Sequence, residues 1–67
     1  MLRIKYELDK KGMKQADLAK QLDLWPQAVS RIVRGEEPPW PKRGQRIADA
    51  LGWKRPWQEL FEEIEVS

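Results

Sequence analysis

The sequence predicts an all-α fold, a compact bundle of five short helices. Apolar residues recur three and four positions apart, as on one face of a helix, whereas no stretch alternates apolar and polar residues for long enough to form a strand. Three of the four glycines and all five prolines lie between these helical stretches or at their first positions. Because a chain of 67 residues has room for one small core, we expect residues 1–67 to form a single domain.

The first helix is predicted from an apolar stripe at the start of the chain. Met1, Ile4 and Leu8 recur at i, i+3 and i+7 and therefore share one face. This helix should end near Lys11, because Gly12 is the residue type that most often terminates a helix.

A second helix is predicted from Gln15 to Leu22. Leu18 and Ala19 join Leu22 on its apolar face. Its start is weak, because Lys14 occupies the N-cap position, where Ser, Thr, Asp or Asn is preferred.

The third helix is predicted from Pro26 to Arg34, and its N-terminus has the clearest sequence signals in the chain. Proline suits the first helical position, where its missing N–H costs nothing. Leu24 and Val29 have the spacing of a hydrophobic staple, which fixes the angle at which the chain enters the helix. Gly35 follows directly and should mark the end.

A fourth helix is predicted from Pro41 to Leu51. The preceding loop, residues 35–40, contains two prolines and two acids and cannot be helical throughout. We expect Trp40 to anchor this loop.

A fifth helix is predicted over about residues 56–65, opened by Pro56. Its apolar residues follow the i, i+3, i+4, i+7 pattern: Trp57, Leu60, Phe61 and Ile64. This helix either completes the core or serves as a dimerisation helix, and the same two interpretations apply to the side chains of Trp53 and Trp57.

The composition argues against several classes of function. The chain has no Cys and no His, which removes disulfides, the usual zinc ligands, a thiol nucleophile and a side chain that titrates near pH 7. We therefore expect that the protein is not an enzyme and that it binds no metal ion, cofactor or small-molecule substrate. No stretch approaches the roughly 20 apolar residues of a membrane span or forms the core of a signal peptide. A cytoplasmic protein without a membrane partner is expected.

Charge is distributed unevenly along the chain. Residues 1–55 carry all 13 Lys and Arg against seven acids, whereas residues 56–67 carry four acids and no base. A basic body followed by an acidic tail favours a polyanionic partner that contacts the body alone.

The third helix carries basic residues on one face. At about 100° per residue, Gln27, Arg31 and Arg34 lie within an arc of about 60°, opposite the aliphatic residues of the same helix. Any solvated surface helix shows such a division, so the division alone leaves the function open. The three-residue link around Asp23 is a second indication, because it fits two helices that cross steeply.

The second and third helices resemble a known family. The run from Gln15 to Leu22, followed by Val29–Ser30–Arg31–Ile32, is similar to the helix-turn-helix of lambda-repressor-like (Cro/cI type) DNA-binding proteins. In that family Gln opens the second helix, a small Ala allows the two helices to touch, and an aliphatic residue of the third helix packs against it. Gln15, Ala19 and Val29 match these roles.

The resemblance covers about residues 3–61, with the helix-turn-helix at about residues 15–34. Outside the motif, the chain looks like the Ner-like phage regulators of that superfamily. Two departures are visible: Asp23 replaces the usual turn Gly, and Trp25 replaces a Ser- or Thr-like cap. Asp is tolerable in the turn because it enters left-handed conformations more readily than most residues.

The resemblance implies that the third helix reads DNA. It implies that Gln27 and Arg31 contact base edges in the major groove, with Pro26 near the groove floor. Gln can pair with adenine and Arg with guanine, each through two hydrogen bonds. The candidates for DNA backbone contacts are Lys14, Gln15, Trp25, Ser30, Arg34, Lys42, Arg43 and Arg46.

Some of these backbone candidates have a second interpretation. Trp25 either lies against a deoxyribose or phosphate, or packs over Leu22 or Trp40. Any single Lys or Arg of the group is also compatible with an ordinary solvated side chain.

These expectations converge on a sequence-specific double-stranded DNA-binding protein, a transcriptional regulator that acts as a phage or prophage repressor by occupying its operator. One such module buries only about 600–1,000 Å² on DNA, so a homodimer or side-by-side binding is expected. The alternative is a protein-interaction module with the same helical fold, whose third helix faces a protein.

Overall fold

The computed structural model describes residues 1–39 and 41–65, in which the chain forms four α-helices and one 3₁₀ helix. The α-helices are α1 (Arg3–Lys11), α2 (Gln15–Leu22), α3 (Pro26–Val33) and α4 (Pro41–Leu51). The all-α class is confirmed. Helices α2 and α4 have the predicted bounds, and α3 ends one residue earlier than predicted. Trp40, the predicted loop anchor, lies outside the described residues.

One apolar core holds the helices together. Helix α2 packs against α3 and α4, and the 3₁₀ helix, Trp57–Phe61, packs against α1 and α4. The core side chains are at most 4% exposed and come from all five elements: Ile4, Leu8, Leu18, Ala19, Leu22, Val29, Ile32, Val33, Ile47, Ala48, Leu51 and Leu60. Burial of each of the larger ones stabilises the fold by about 1.5–3 kcal/mol.

The four α-helices end in the same kind of turn. A residue in the left-handed conformation follows each helix: Gly12, Asp23, Gly35 and Gly52. After α2, the Asp23 N–H donates to the Lys20 carbonyl (3.3 Å) and the Leu24 N–H donates to the Ala19 carbonyl (2.9 Å). Asp23 adopts φ 57°, so the prediction that Asp takes the left-handed position of the turn is confirmed.

The predicted fifth helix over about residues 56–65 is wrong. Only Trp57–Phe61 is helical, in the tighter 3₁₀ form, and the backbone is already extended at Glu62. Leu60 still reaches the core, as predicted. The role of this segment in dimerisation stays a prediction.

Hydrogen bonds to the N-terminal segment explain this difference. The Arg3 N–H donates to the Glu62 carbonyl (2.9 Å), and the Ile64 N–H donates to the Met1 carbonyl (2.8 Å). In a continued α-helix the Ile64 N–H would instead donate to the Leu60 carbonyl, so this bond ends the helix. The same pairing keeps Met1 out of α1, so its predicted place on the apolar helix face is also wrong, and its side chain is 46% exposed.

Trp57 packs directly onto α4 at Gly44. A Cβ atom at Gly44 would lie 2.7 Å from Cδ2 and 2.8 Å from Cζ3 of the indole, closer than carbon atoms approach. The Phe61 ring meets the indole edge-on, with centroids 6.0 Å apart. Trp53 is also partly buried against the core, and its indole N–H donates to the Pro56 carbonyl (3.1 Å). Both tryptophans therefore contact the core, which is one of their two predicted roles, and the other role, a dimer contact, stays a prediction.

The described helices are short, the longest having 11 residues. None in residues 1–39 and 41–65 is long and apolar enough to cross a membrane, and no group of acidic side chains there is placed to hold a metal ion.

Candidate nucleic-acid interface

The outer face of α3 carries the residues that were predicted to read bases. Gln27 and Arg31 are exposed on this face, and Pro26 is exposed at the first position of the helix. The three aliphatic residues of the opposite face are each 1% exposed and belong to the core. The structure therefore anchors α3 through one face and leaves the other open to a ligand.

The start of α3 is exposed as well. Trp25 occupies the N-cap position without a side-chain capping bond, and Pro26 is the first helical residue, both as predicted. The Trp25 side chain is 79% exposed. Its interpretation as a side chain packed over Leu22 is therefore wrong, and the other partner considered, Trp40, lies outside the described residues.

A close contact between α2 and α3 orients this face. Ala19 on α2 is 2% exposed and Val29 on α3 is 1% exposed, as expected for a small residue that meets an aliphatic one. The link between the helices is short, because the turn at Asp23 is followed at once by Pro26. The predicted helix pair is thus present.

The start of α2 lies on the same helix pair. Lys14 is exposed and Gln15 is half-buried. The Lys14 N–H donates to the Asp17 carboxylate (3.2 Å), so an acid in the first turn supplies the capping that Lys14 cannot. The sequence analysis missed this role, although an acid three residues after the cap position is a recognisable sign of it.

Helix α4 contributes three of the predicted backbone contacts. Lys42 is exposed and Arg43 half-buried, both in the first turn of α4. Arg46 Nη2 donates to the Leu22 carbonyl at 2.9 Å. Because a cation is favourable at the C-terminal end of a helix, Arg46 stabilises the turn between α2 and α3, a role that nothing in the sequence indicated.

An acidic loop lies beside both arginines of α3. Arg31 Nε donates to Glu37 Oε2 at 3.3 Å, and Arg34 Nε lies 2.7 Å from Glu36 Oε2. Ser30, which directly precedes Arg31, is half-buried. The sequence analysis did not anticipate these ion pairs, which reduce the positive charge that α3 presents.

A further ion pair lies in the segment that leads into the 3₁₀ helix. Arg55 Nε donates to Glu59 Oε1 at 2.7 Å. This bond and the charge of Glu59 raise the pKa of Arg55 above its usual value. Arg55 therefore stays charged, and its carboxylate partner offsets its field locally.

Comparison with known proteins agrees with this geometry. The family model described as helix-turn-helix matches residues 4–67, which include α2, α3, α4 and all of α1 except its first residue, Arg3. No curated protein and no solved structure matches the chain.

Proposed function

Because the chain belongs to the helix-turn-helix family of the Cro/cI type, whose members are DNA-binding transcription regulators, we propose that it binds an operator sequence-specifically and represses transcription by occupying it. One observation carries the proposal: α3 is buried along one face and presents Gln27 and Arg31 on the other. The Ner-like resemblance supports a phage or prophage origin.

In this proposal, the outer face of α3 reads bases in the major groove. Gln27 contacts an adenine through N6 and N7, and Arg31 contacts a guanine through O6 and N7. Pro26 lies near the floor of the groove. The exposure of all three side chains supports these roles.

Residues around this face hold the DNA backbone in the same proposal. Gln15 binds a phosphate at the start of α2, where the helix N-terminus favours an anion. The remaining contacts come from side chains that flank α3 or lie at the starts of α2 and α4: Lys14, Trp25, Ser30, Arg34, Lys42, Arg43 and Arg46.

Two copies of the chain are needed for tight operator binding. One module of this kind buries only about 600–1,000 Å² on DNA. The protein therefore acts as a homodimer or binds side by side on repeated half-sites.

Binding to random duplex DNA should depend strongly on salt. If the basic surface neutralises about four to six phosphates, log K should fall with log[salt] at a slope of about −4 to −5. Lys42→Gln or Arg43→Gln should each reduce that slope by about 1 for all sequences alike. Retention on immobilised random duplex across a salt series measures the slope.

Lys54→Gln is the matched control for this series. It removes the same charge from an exposed position beyond the opposite end of α4, about 16 Å away along an 11-residue helix. The control should leave the slope near that of the parent. Binding that does not depend on salt would contradict the nucleic-acid function altogether.

Gln27→Ala and Arg31→Ala test the reading of bases. Both side chains are exposed, so the free energy of unfolding should change by less than about 0.5 kcal/mol. Each change should cost about 1–3 kcal/mol of binding on the preferred operator. Selection of preferred sites from a random pool should show lost preference at one or two base pairs per half-site.

Two control variants separate base reading from general effects. Gln21→Ala removes the same side chain from an exposed position of α2, and Arg55→Ala removes the same charge outside α3. Neither should change site preference. If Gln27→Ala and Arg31→Ala also keep the parent's preference, recognition lies elsewhere, and the outer face of α3 serves a protein partner instead.

A further inference from the structure

We propose that Glu37 is a positioning residue for Arg31, which it orients for the reading of a base. This inference rests on the proposed function and deepens it, because it assigns a residue that sets the specificity of the α3 face without touching DNA itself. Its basis is the hydrogen bond from Arg31 Nε to Glu37 Oε2 at 3.3 Å, together with the way the backbone holds Glu37 beside α3.

The backbone holds the acidic loop against the end of α3. The Gly35 N–H donates to the Ile32 carbonyl (3.1 Å), and the Glu36 N–H donates to the Arg31 carbonyl (2.9 Å). Gly35 makes this turn with φ 79°, a conformation that costs glycine little. The chain therefore folds back along the helix from which Arg31 projects.

A proline limits the freedom of Glu37 further. The residue before a proline is largely confined to extended backbone conformations, and Pro38 follows Glu37 directly. The Glu37 side chain is 36% exposed, the smaller value in its pair with Arg31. The carboxylate is thus a more restricted partner than a residue in a free loop would be.

The other helix ends show that this turn is unusual. The residue after the left-handed position is Met13, Leu24 or Trp53 in α1, α2 and α4, and each is partly buried against the core. An apolar residue at this position commonly packs back on its helix. After α3 the same position is Glu36, which is exposed and paired with Arg34. Here the turn presents acids to the arginines of the helix.

The atoms used by Glu37 leave the guanidinium able to read a base. A guanidinium carries five N–H donors, one on Nε and two on each Nη. Glu37 engages Nε, so the terminal Nη pair remains to donate to O6 and N7 of a guanine. An arginine side chain that is already held at Nε loses less conformational entropy when it binds. Binding is therefore favoured to the base whose acceptors match the orientation in which the side chain is held.

The pair formed by Glu36 and Arg34 provides the contrast. Both of its side chains are open to solvent, at 55% and 56% exposed, so solvent screens the attraction from both sides. In the other pair Arg31 is similarly exposed, at 52%, and the difference lies in Glu37, which is 36% exposed. Arg34 is a proposed phosphate contact, for which a point charge is sufficient. Loss of Glu36 should therefore remove a repulsive charge near the DNA without changing which base is preferred.

The experiment compares Glu37→Ala, Glu37→Gln and Glu36→Ala with the parent. The measured quantity is the ratio of the dissociation constants for random duplex and for the selected operator. Glu37→Ala should lower this ratio by about threefold to tenfold, the effect of one lost hydrogen bond. Glu37→Gln should retain most of the ratio, because its amide oxygen still accepts the Arg31 Nε–H. Glu36→Ala should strengthen binding to both duplexes alike and leave the ratio unchanged.

A double variant tests whether the effect passes through Arg31. In the Arg31→Ala background, Glu37→Ala should cause no further loss of the ratio. The inference is overturned if Glu37→Ala keeps the parent's ratio, if it behaves like Glu36→Ala, or if it lowers the ratio equally without Arg31. Thermal melting followed by circular dichroism should show that each variant remains folded.

The results that would contradict the proposed function differ from those that would contradict the role of Glu37. A parent protein with no salt-dependent binding to any duplex removes both the function and the inference. If the parent protein selects an operator and the Arg31→Ala variant keeps the same ratio of dissociation constants as the parent, Arg31 does not read a base. Operator selection that needs Arg31 but not Glu37 overturns the positioning role alone.

Discussion

Replacement of Ala19 by glutamate is expected to unfold the protein. Ala19 is 2% exposed and belongs, with Val29 of α3, to the core on which α2 and α3 pack, so a carboxylate there would be buried without a partner. At about 0.05–0.15 kcal/mol per residue, a domain of this size has about 3–10 kcal/mol of stability, and we expect a loss of about 4 kcal/mol or more. Circular dichroism during heating measures the result.

Ala16→Glu is the matched control on the same helix. Ala16 is exposed in the first turn of α2, where an added acid is tolerated or slightly stabilising. We expect this variant to melt near the parent. If Ala19→Glu also melts like the parent, α2 and α3 do not meet at Ala19, and the helix-turn-helix assignment of these residues is wrong.

Gly44→Leu should destabilise the fold by about 3 kcal/mol. Leucine favours a helix over glycine by close to 1 kcal/mol, so the change would stabilise α4 if position 44 were open. Position 44 is closed, because the Trp57 indole already occupies the place of a Cβ atom. The larger side chain must push Trp57 off α4. The destabilisation from this overpacking is larger than the stabilisation that leucine gives through its helix propensity. Chemical denaturation measures the free energy of unfolding.

Two further variants locate the cause of that loss. Gln45→Leu places the same side chain at the exposed neighbouring position of α4 and should change stability by less than about 0.5 kcal/mol. In a Trp57→Ala background, Gly44→Leu should cost much less than it does alone, since the colliding ring is gone. Equal costs in the two backgrounds would show that the Gly44–Trp57 contact does not limit residue 44.

The α-helices could be predicted because their boundaries are encoded locally. Pro41 and Gly52 enclose α4, and Asp23 ends α2, so each boundary depends on the conformational preference of one residue. The core followed from the same local pattern, because apolar residues at helical spacing lie on one face once the helix exists.

The fifth helix could not be predicted from its apolar spacing. Trp57 and Leu60 are three residues apart, and this spacing places side chains on one face of a 3₁₀ helix as well as of an α-helix. The helix stops after Phe61, where the Glu62 carbonyl and the Ile64 N–H bond to Arg3 and Met1 at the opposite end of the chain. A pattern read within one segment contains no information about such a distant partner.

The candidate site could be predicted in part for the same reason. The separation of Gln27 and Arg31 from the aliphatic face is a property of helix geometry, and the structure shows both exposed. The ion pairs of Glu36 and Glu37 depend on how the turn at Gly35 directs the following residues. The course of the chain after this turn cannot be predicted from the sequence pattern and is known only from the structure.

The antiparallel bridge between Leu2 and Glu63 has a consequence for the order of folding. Contacts between successive helices such as α2 and α3 close short loops, whereas the bridge closes a loop of nearly the entire chain and loses more chain entropy on forming. The helix pair can therefore assemble first, and the bridge joins last. On the reverse path the two ends separate before the centre melts, so partial unfolding begins at the bridge while the face of α3 is still intact.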